Sequence, residues 1–74
     1  SQKAKFLSVK TALSKLGLYI NKVEFYQYVD RYYIQSSEGE RIYNLQYNGM
    51  GMYTSVKALS LYPDDDIVQE ALMS

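Results

Sequence analysis

Hydrophobic positions recur with a helical period at the start of the chain and with a period near two through its middle. Phe6, Val9, Leu13 and Leu16 stand three or four apart, so a helix over residues 3–16 gathers them into one apolar stripe. Ala12 widens that stripe and Leu7 edges it, while Lys3, Lys10, Ser14 and Lys15 fall mostly off it. Gly17 predicts the stop, because glycine enters the left-handed conformation at little steric cost. Leu18, just beyond, is placed to fold back on Leu13.

From Leu18 the pattern predicts three strands. The first covers residues 19–29 and turns at Asp30-Arg31. The second covers 32–37 and turns at Glu38-Gly39, where the glycine supplies a positive φ, and the third covers 40–47. With two-residue loops, Val29 faces Tyr32, Tyr28 faces Tyr33, Ile34 faces Tyr43 and Tyr32 faces Leu45. Opposed residues share a sheet face. Val23, Phe25, Val29, Tyr32, Ile34, Tyr43, Leu45 and Tyr47 then point one way. Lys22, Glu24, Tyr26, Tyr28, Tyr33, Gln35, Ile42, Asn44 and Gln46 point the other. The two turns, placed independently, agree on one apolar and one mixed face, and a one-residue slip at either would scramble them.

Residues 48–52 read as a loop. Thr54 or Ser55 is suited to cap a short helix over 55–61, Pro63 breaks it, and Asp64 is suited to cap a last helix over 65–73. The expected fold is α+β and two-layered: an N-terminal helix, a three-stranded antiparallel meander, and a C-terminal broken helix or two short helices. At 74 residues it is expected to be a single small domain over residues 1–74.

Composition sharpens this picture. There is no cysteine, so neither a disulfide nor a thiolate metal site supplements the core, and 15% aromatic content supplies core material instead. Formal net charge is zero, against a general polyanion binder. The zero conceals an asymmetry. Five lysines (Lys3, Lys5, Lys10, Lys15, Lys22) precede the first acid, and Asp64, Asp65, Asp66 and Glu70 lie in a C-terminal stretch without a base. No apolar run approaches the length of a membrane span, and lysines interrupt every apolar cluster near the start. A soluble cytoplasmic protein without membrane contact is expected. Its high content of Tyr and Lys suits a phage or mobile-element accessory protein.

Chemistry has little to work with. Without His or Cys, the commonest bases, nucleophiles and transition-metal ligands are missing. Asp64-Asp65-Asp66 lacks the alternate spacing and bend glycine of a calcium loop and reads as helix capping. The glycine-bearing stretch 48–55, feeding a helix, has the outline of an anion site but matches no phosphate-loop fingerprint. Helix, three strands and helix is also the order of double-stranded RNA-binding domains. Their lysine cluster is absent, however, with Lys57 standing alone, which argues against duplex RNA. No enzyme activity, cofactor, metal or small-molecule substrate is expected.

The mixed sheet face is the remaining candidate. Tyr26, Tyr28 and Tyr33, ringed by Gln35, Asn44 and Gln46, make a surface of the composition found at protein–protein hot spots. The expected function is a non-enzymatic interaction domain that uses this face on a protein partner or as a homodimer. The alternative is single-stranded nucleic acid, with bases stacked on Tyr28 and Tyr33 and phosphates met by Lys3, Lys10 and Lys22. Zero net charge, with Glu24 on the face, orders the two.

Overall fold

The computed structural model describes the backbone of residues 2–73 and the side chains of residues 5–73. Among the described residues, α1 spans Gln2–Ser14, β1 Tyr19–Tyr26, β2 Val29–Ser36, β3 Gly39–Tyr47, β4 Tyr53–Ala58 and α2 Asp65–Met73. The strands form one antiparallel sheet in the order β1-β2-β3-β4, with the two helices together on one face. This is the α+β, two-layer class that the sequence predicts, with four strands instead of three.

The apolar stripe of α1 is buried through Val9 and Leu13, with Phe6 packed beside them. Gly17, at φ +75°, ends the helix in a left-handed cap. The Leu18 amide donates to the Leu13 carbonyl (3.0 Å) and the Gly17 amide to that of Ser14 (3.0 Å), satisfying carbonyls that the helix end would orphan. The cap folds Leu18 into the core and leaves Leu16 outside it.

Both turns lie before their predicted positions. Tyr26 pairs with Val29, so the β1–β2 loop is Gln27-Tyr28, and Tyr28 carries the positive φ, at +66°. Asp30-Arg31 instead lies inside β2, where the Asp30 carboxylate accepts the Tyr53 hydroxyl (2.8 Å) at the core side. Ser36 pairs with Gly39, so the second loop is Ser37-Glu38. There Ser36 Oγ accepts from the Glu38 amide (3.2 Å) and donates to the Gly39 carbonyl (2.9 Å). Tyr32 therefore faces Tyr43, not Leu45, and Val23 faces Tyr32. These shifts are by two and by six residues. Even shifts preserve parity, so Tyr32, Ile34, Tyr43 and Leu45 keep their expected place in the core. Val29 moves from β1 to β2, and its pairing with Gln46 puts it on the opposite face from the one expected.

The expected helix over 55–61 is strand β4. Leu45 faces Val56 and Tyr43 faces Ala58, while Thr54 is the extra residue of a bulge between the Gln46–Ser55 and Tyr47–Tyr53 pairs. Val56 and Ala58 close the core's edge on the sheet side, a burial that a helix in this position would forgo.

Helix α2 starts after Pro63, with Asp65 and Asp66 in its first turn, and buries Val68 and Leu72 against the core. Its first turn is tied to β3. Arg41, only 5% exposed, donates to Asp64, and Tyr43 OH donates to Asp65 Oδ1 (2.8 Å). Gln69 Nε2 donates to the other Asp65 oxygen (2.6 Å). Two of the three consecutive aspartates thus hold a helix end to the sheet.

Candidate functional site

The pairing that puts Tyr32, Ile34, Tyr43 and Leu45 under the helices puts their neighbours on the opposite, open face. That face collects Tyr19, Lys22, Glu24 and Tyr26 from β1, Val29, Arg31, Tyr33 and Gln35 from β2, Glu40, Ile42, Asn44 and Gln46 from β3, and Ser55 and Lys57 from β4. It carries three cations against two carboxylates, a formal charge of +1 on a chain whose total is zero.

Its side chains are knitted together. Tyr33 OH donates to Glu24 Oε1 (2.5 Å), and Lys22 Nζ sits 4.4 Å from the Tyr33 ring centroid and 4.0 Å from Glu24 Oε2. The Tyr33 hydrogen bond, helped by Lys22, holds the Glu24 carboxyl below its ordinary range against the opposing effect of burial. Arg31 Nε donates to Asn44 Oδ1 (2.9 Å), and its guanidinium lies 5.5 Å from the Tyr26 ring centroid. Ser55 Oγ donates to Gln46 Oε1 (3.3 Å). At the Tyr19 end of the sheet, Asn21 Nδ2 donates to both Gln35 (3.0 Å) and Glu40 (2.9 Å).

Of the residues expected at this face, Tyr26, Tyr33, Gln35, Asn44 and Gln46 are on it. Tyr28 is not. It sits in the β1–β2 turn with its ring 6.3 Å from that of Tyr47, so the expected triad of outward tyrosines is a pair. Tyr33 does not stand bare either, since Lys22 covers its ring. The nucleic-acid constellation comes apart further. Lys10 lies on α1, on the far side of the sheet, and the side chain of Lys3 lies outside the described residues. Lys22 and Tyr33 are the members that meet.

Arg31, Ser55, Lys57 and Val29 were not expected here. Arg31 and Val29 were hidden by the misplaced turn, and Ser55 and Lys57 by reading 55–61 as helical. Thr54 and Val56 are β-branched, and Val56 and Ala58 alternate with Ser55 and Lys57, which is a legible strand signal. The expected anion outline at 48–55 also lapses, since a strand follows the loop. Asn48 Oδ1 caps that loop itself, accepting from the amides of Met50 (2.9 Å) and Met52 (3.2 Å).

Among the described residues no helix is long and apolar enough to cross a membrane. A family model, the TATA-binding-like protein domain of the TOTE conflict systems, matches residues 1–73. No curated protein and no solved structure matches the chain. With the match running over nearly its whole length, the chain belongs to the family of TATA-binding-like protein domains of the TOTE conflict systems.

Proposed function

We propose that this domain binds DNA through the open face of its sheet and catalyses no reaction of its own. The observation that carries the reading is a polar, cation-bearing sheet face left open opposite both helices, in a domain whose family is described as TATA-binding-like. Lys22, Arg31 and Lys57 are suited to phosphate oxygens, and Asn44 and Gln46 to base edges. Val29 and Ile42, both half-buried, are apolar positions on either side of the Arg31–Asn44 pair. Polar and cationic side chains around small apolar groups are the means by which sheet surfaces meet a DNA groove.

This reverses the order expected from sequence, for two reasons. Glu24 weighed against nucleic acid, but Lys22, 4.0 Å away, now offsets its charge. The tyrosine cluster that favoured a protein partner does not assemble, because Tyr28 stands in the turn.

The test is anisotropy of a labelled duplex and of the corresponding single strand, titrated across salt. Three phosphate contacts give a slope of log affinity against log salt of about −2.7 on duplex, and Arg31→Ala or Lys57→Ala each flatten it by about 0.9. Salt-independent binding, or variants that leave the slope unchanged, would refute the reading. A concentration-dependent dimer that Tyr33→Ala abolishes would replace it with the protein interface.

A further inference from the structure

Where the β1–β2 turn meets the β3–β4 loop, a cleft of about 380 Å³ opens at the end of the sheet, between Tyr28, Tyr47, Tyr53, Asp30, Lys5 and the loop glycines. It is distinct from the open face. The volume lies near the lower end for small-molecule sites, enough for one nucleobase with its sugar. Tyr28 and Tyr47, with rings 6.3 Å apart and tilted by 52°, supply aromatic surface at which a planar ring can stack.

The unusual member is Asp30. It is 2% exposed, and its Oδ2 accepts the Tyr53 hydroxyl, which in turn lies 2.7 Å from the Tyr32 hydroxyl. Its Oδ1 is buried with no hydrogen-bond partner among the described residues. Burial pushes the Asp30 pKa up, as expected for a carboxyl with too few donors. A buried acceptor left unsatisfied is costly and calls for an explanation, of which a ligand's N–H is one.

We infer that this cleft binds an unpaired guanine base, stacked at Tyr28 and Tyr47 and hydrogen-bonded through its N1–H and N2–H edge to the carboxylate of Asp30. A carboxylate is an acceptor at both oxygens and is matched by two adjacent coplanar donors. Guanine and a guanidinium group both present such a pair. Adenine and cytosine set an acceptor beside their donor, and uracil or thymine flanks one donor with two acceptors. Between guanine and guanidinium, Lys5 decides. Its Nζ lies 5.2 Å from the Tyr53 ring centroid at this cleft, where it repels a second cation and favours a ligand that carries phosphate. Since Oδ1 is out of water's reach, a side chain at the cleft mouth must turn aside for the base to enter. The inference rests on the DNA reading for the origin of the base, and deepens it by adding a base-selective point beyond the sheet face.

The experiment is calorimetric titration of the protein with GMP, AMP and N-acetylarginine amide. GMP should saturate one site, with AMP at least about tenfold weaker, a difference of roughly 1.4 kcal/mol. Asp30→Asn, which replaces one acceptor with a donor, should remove the preference. Tyr28→Ala, an exposed site that needs no core repacking, should weaken GMP about tenfold even if the Asp30 variant does not fold. Equal affinity for GMP and AMP, a GMP affinity untouched by Tyr28→Ala, or tighter binding of the arginine compound overturns the assignment. A duplex of oligodeoxyadenosine with oligothymidine, which has no guanine, reports the sheet face separately. If it binds and GMP does not, the guanine site falls while the DNA reading stands.

Discussion

The tie between α2 and β3 should fail asymmetrically when cut from its two sides. Arg41 is 5% exposed, and its guanidinium meets Asp64, the Tyr62 ring at 5.1 Å, and Glu38 at 3.7 Å. The Asp64 side chain is 47% exposed. Asp64→Asn leaves a buried guanidinium whose remaining anion, Glu38, is itself largely in solvent, and stranding a buried charge costs about 3 kcal/mol or more. Arg41→Met removes the buried charge together with the bond and leaves Asp64 able to hydrate. Its cost is that of one charge-assisted hydrogen bond, about 1.5–3 kcal/mol, less what the apolar replacement recovers. A chain of 74 residues has roughly 4–11 kcal/mol of stability in all, so the difference is measurable. Urea unfolding followed by circular dichroism should rank wild type above Arg41→Met, and Arg41→Met above Asp64→Asn. The double variant should lie close to Arg41→Met alone. A midpoint for Arg41→Met at or below that of Asp64→Asn would refute the reasoning, and would mean that the guanidinium is hydrated once Asp64 lets go.

Two further outcomes follow from backbone strain and from titration. At Tyr28 the left-handed conformation penalises β-branched residues and suits asparagine, so Tyr28→Val should melt lower than Tyr28→Asn by about 1 kcal/mol, some 4–8 °C for a domain of this size; equal melting temperatures would show that the turn relaxes. Asp30 and Glu24 should pull stability in opposite directions with pH. Burial raises the folded pKa of Asp30, so this group opposes folding above its unfolded value, and the penalty lifts as pH falls through the raised folded value. The Tyr33 bond lowers that of Glu24, whose contribution is present above its unfolded value and lost as pH falls through the lowered folded value. Thermal melts should therefore show Asp30→Asn stabilising near neutral pH and Glu24→Gln destabilising there, both effects fading in acid. The same sign for both variants near neutral pH would contradict the assignments.

The sheet shows which parts of such a fold are legible before its structure is known. Turn positions were not, because Asp30 has ordinary turn chemistry and is drawn inward by the Tyr53 hydroxyl, a residue far away in sequence. Face identity was, because it depends only on the parity of the pairing, and the real registers differ from the expected ones by even numbers. An odd shift between β2 and β3 would have put Tyr32 and Ile34 on one face and Tyr43 and Leu45 on the other, so the apolar alternation excludes half of all registers before turn chemistry is consulted. Strand β4 was missed for a related reason. Thr54 and Ser55 suit a helix cap as well as a strand, and Val56 and Ala58 gain their burial from pairing with Leu45 and Tyr43, a non-local contact that a local reading does not contain. The site follows the same division. The placement of Tyr26, Tyr33, Gln35, Asn44 and Gln46 on the open face follows from parity and was readable, whereas that of Arg31 and Lys57 was not. Its electrostatics were not, because the Tyr33 hydroxyl bonded to Glu24, and Arg31 bonded to Asn44, are cross-strand pairs set by register. Whether that face favours a polyanion depends on those pairs more than on the composition of the chain. A net charge of zero is thus a poor guide to a domain whose open face carries three cations against two carboxylates while Asp65, Asp66 and Glu70 lie on α2, in the layer behind the sheet.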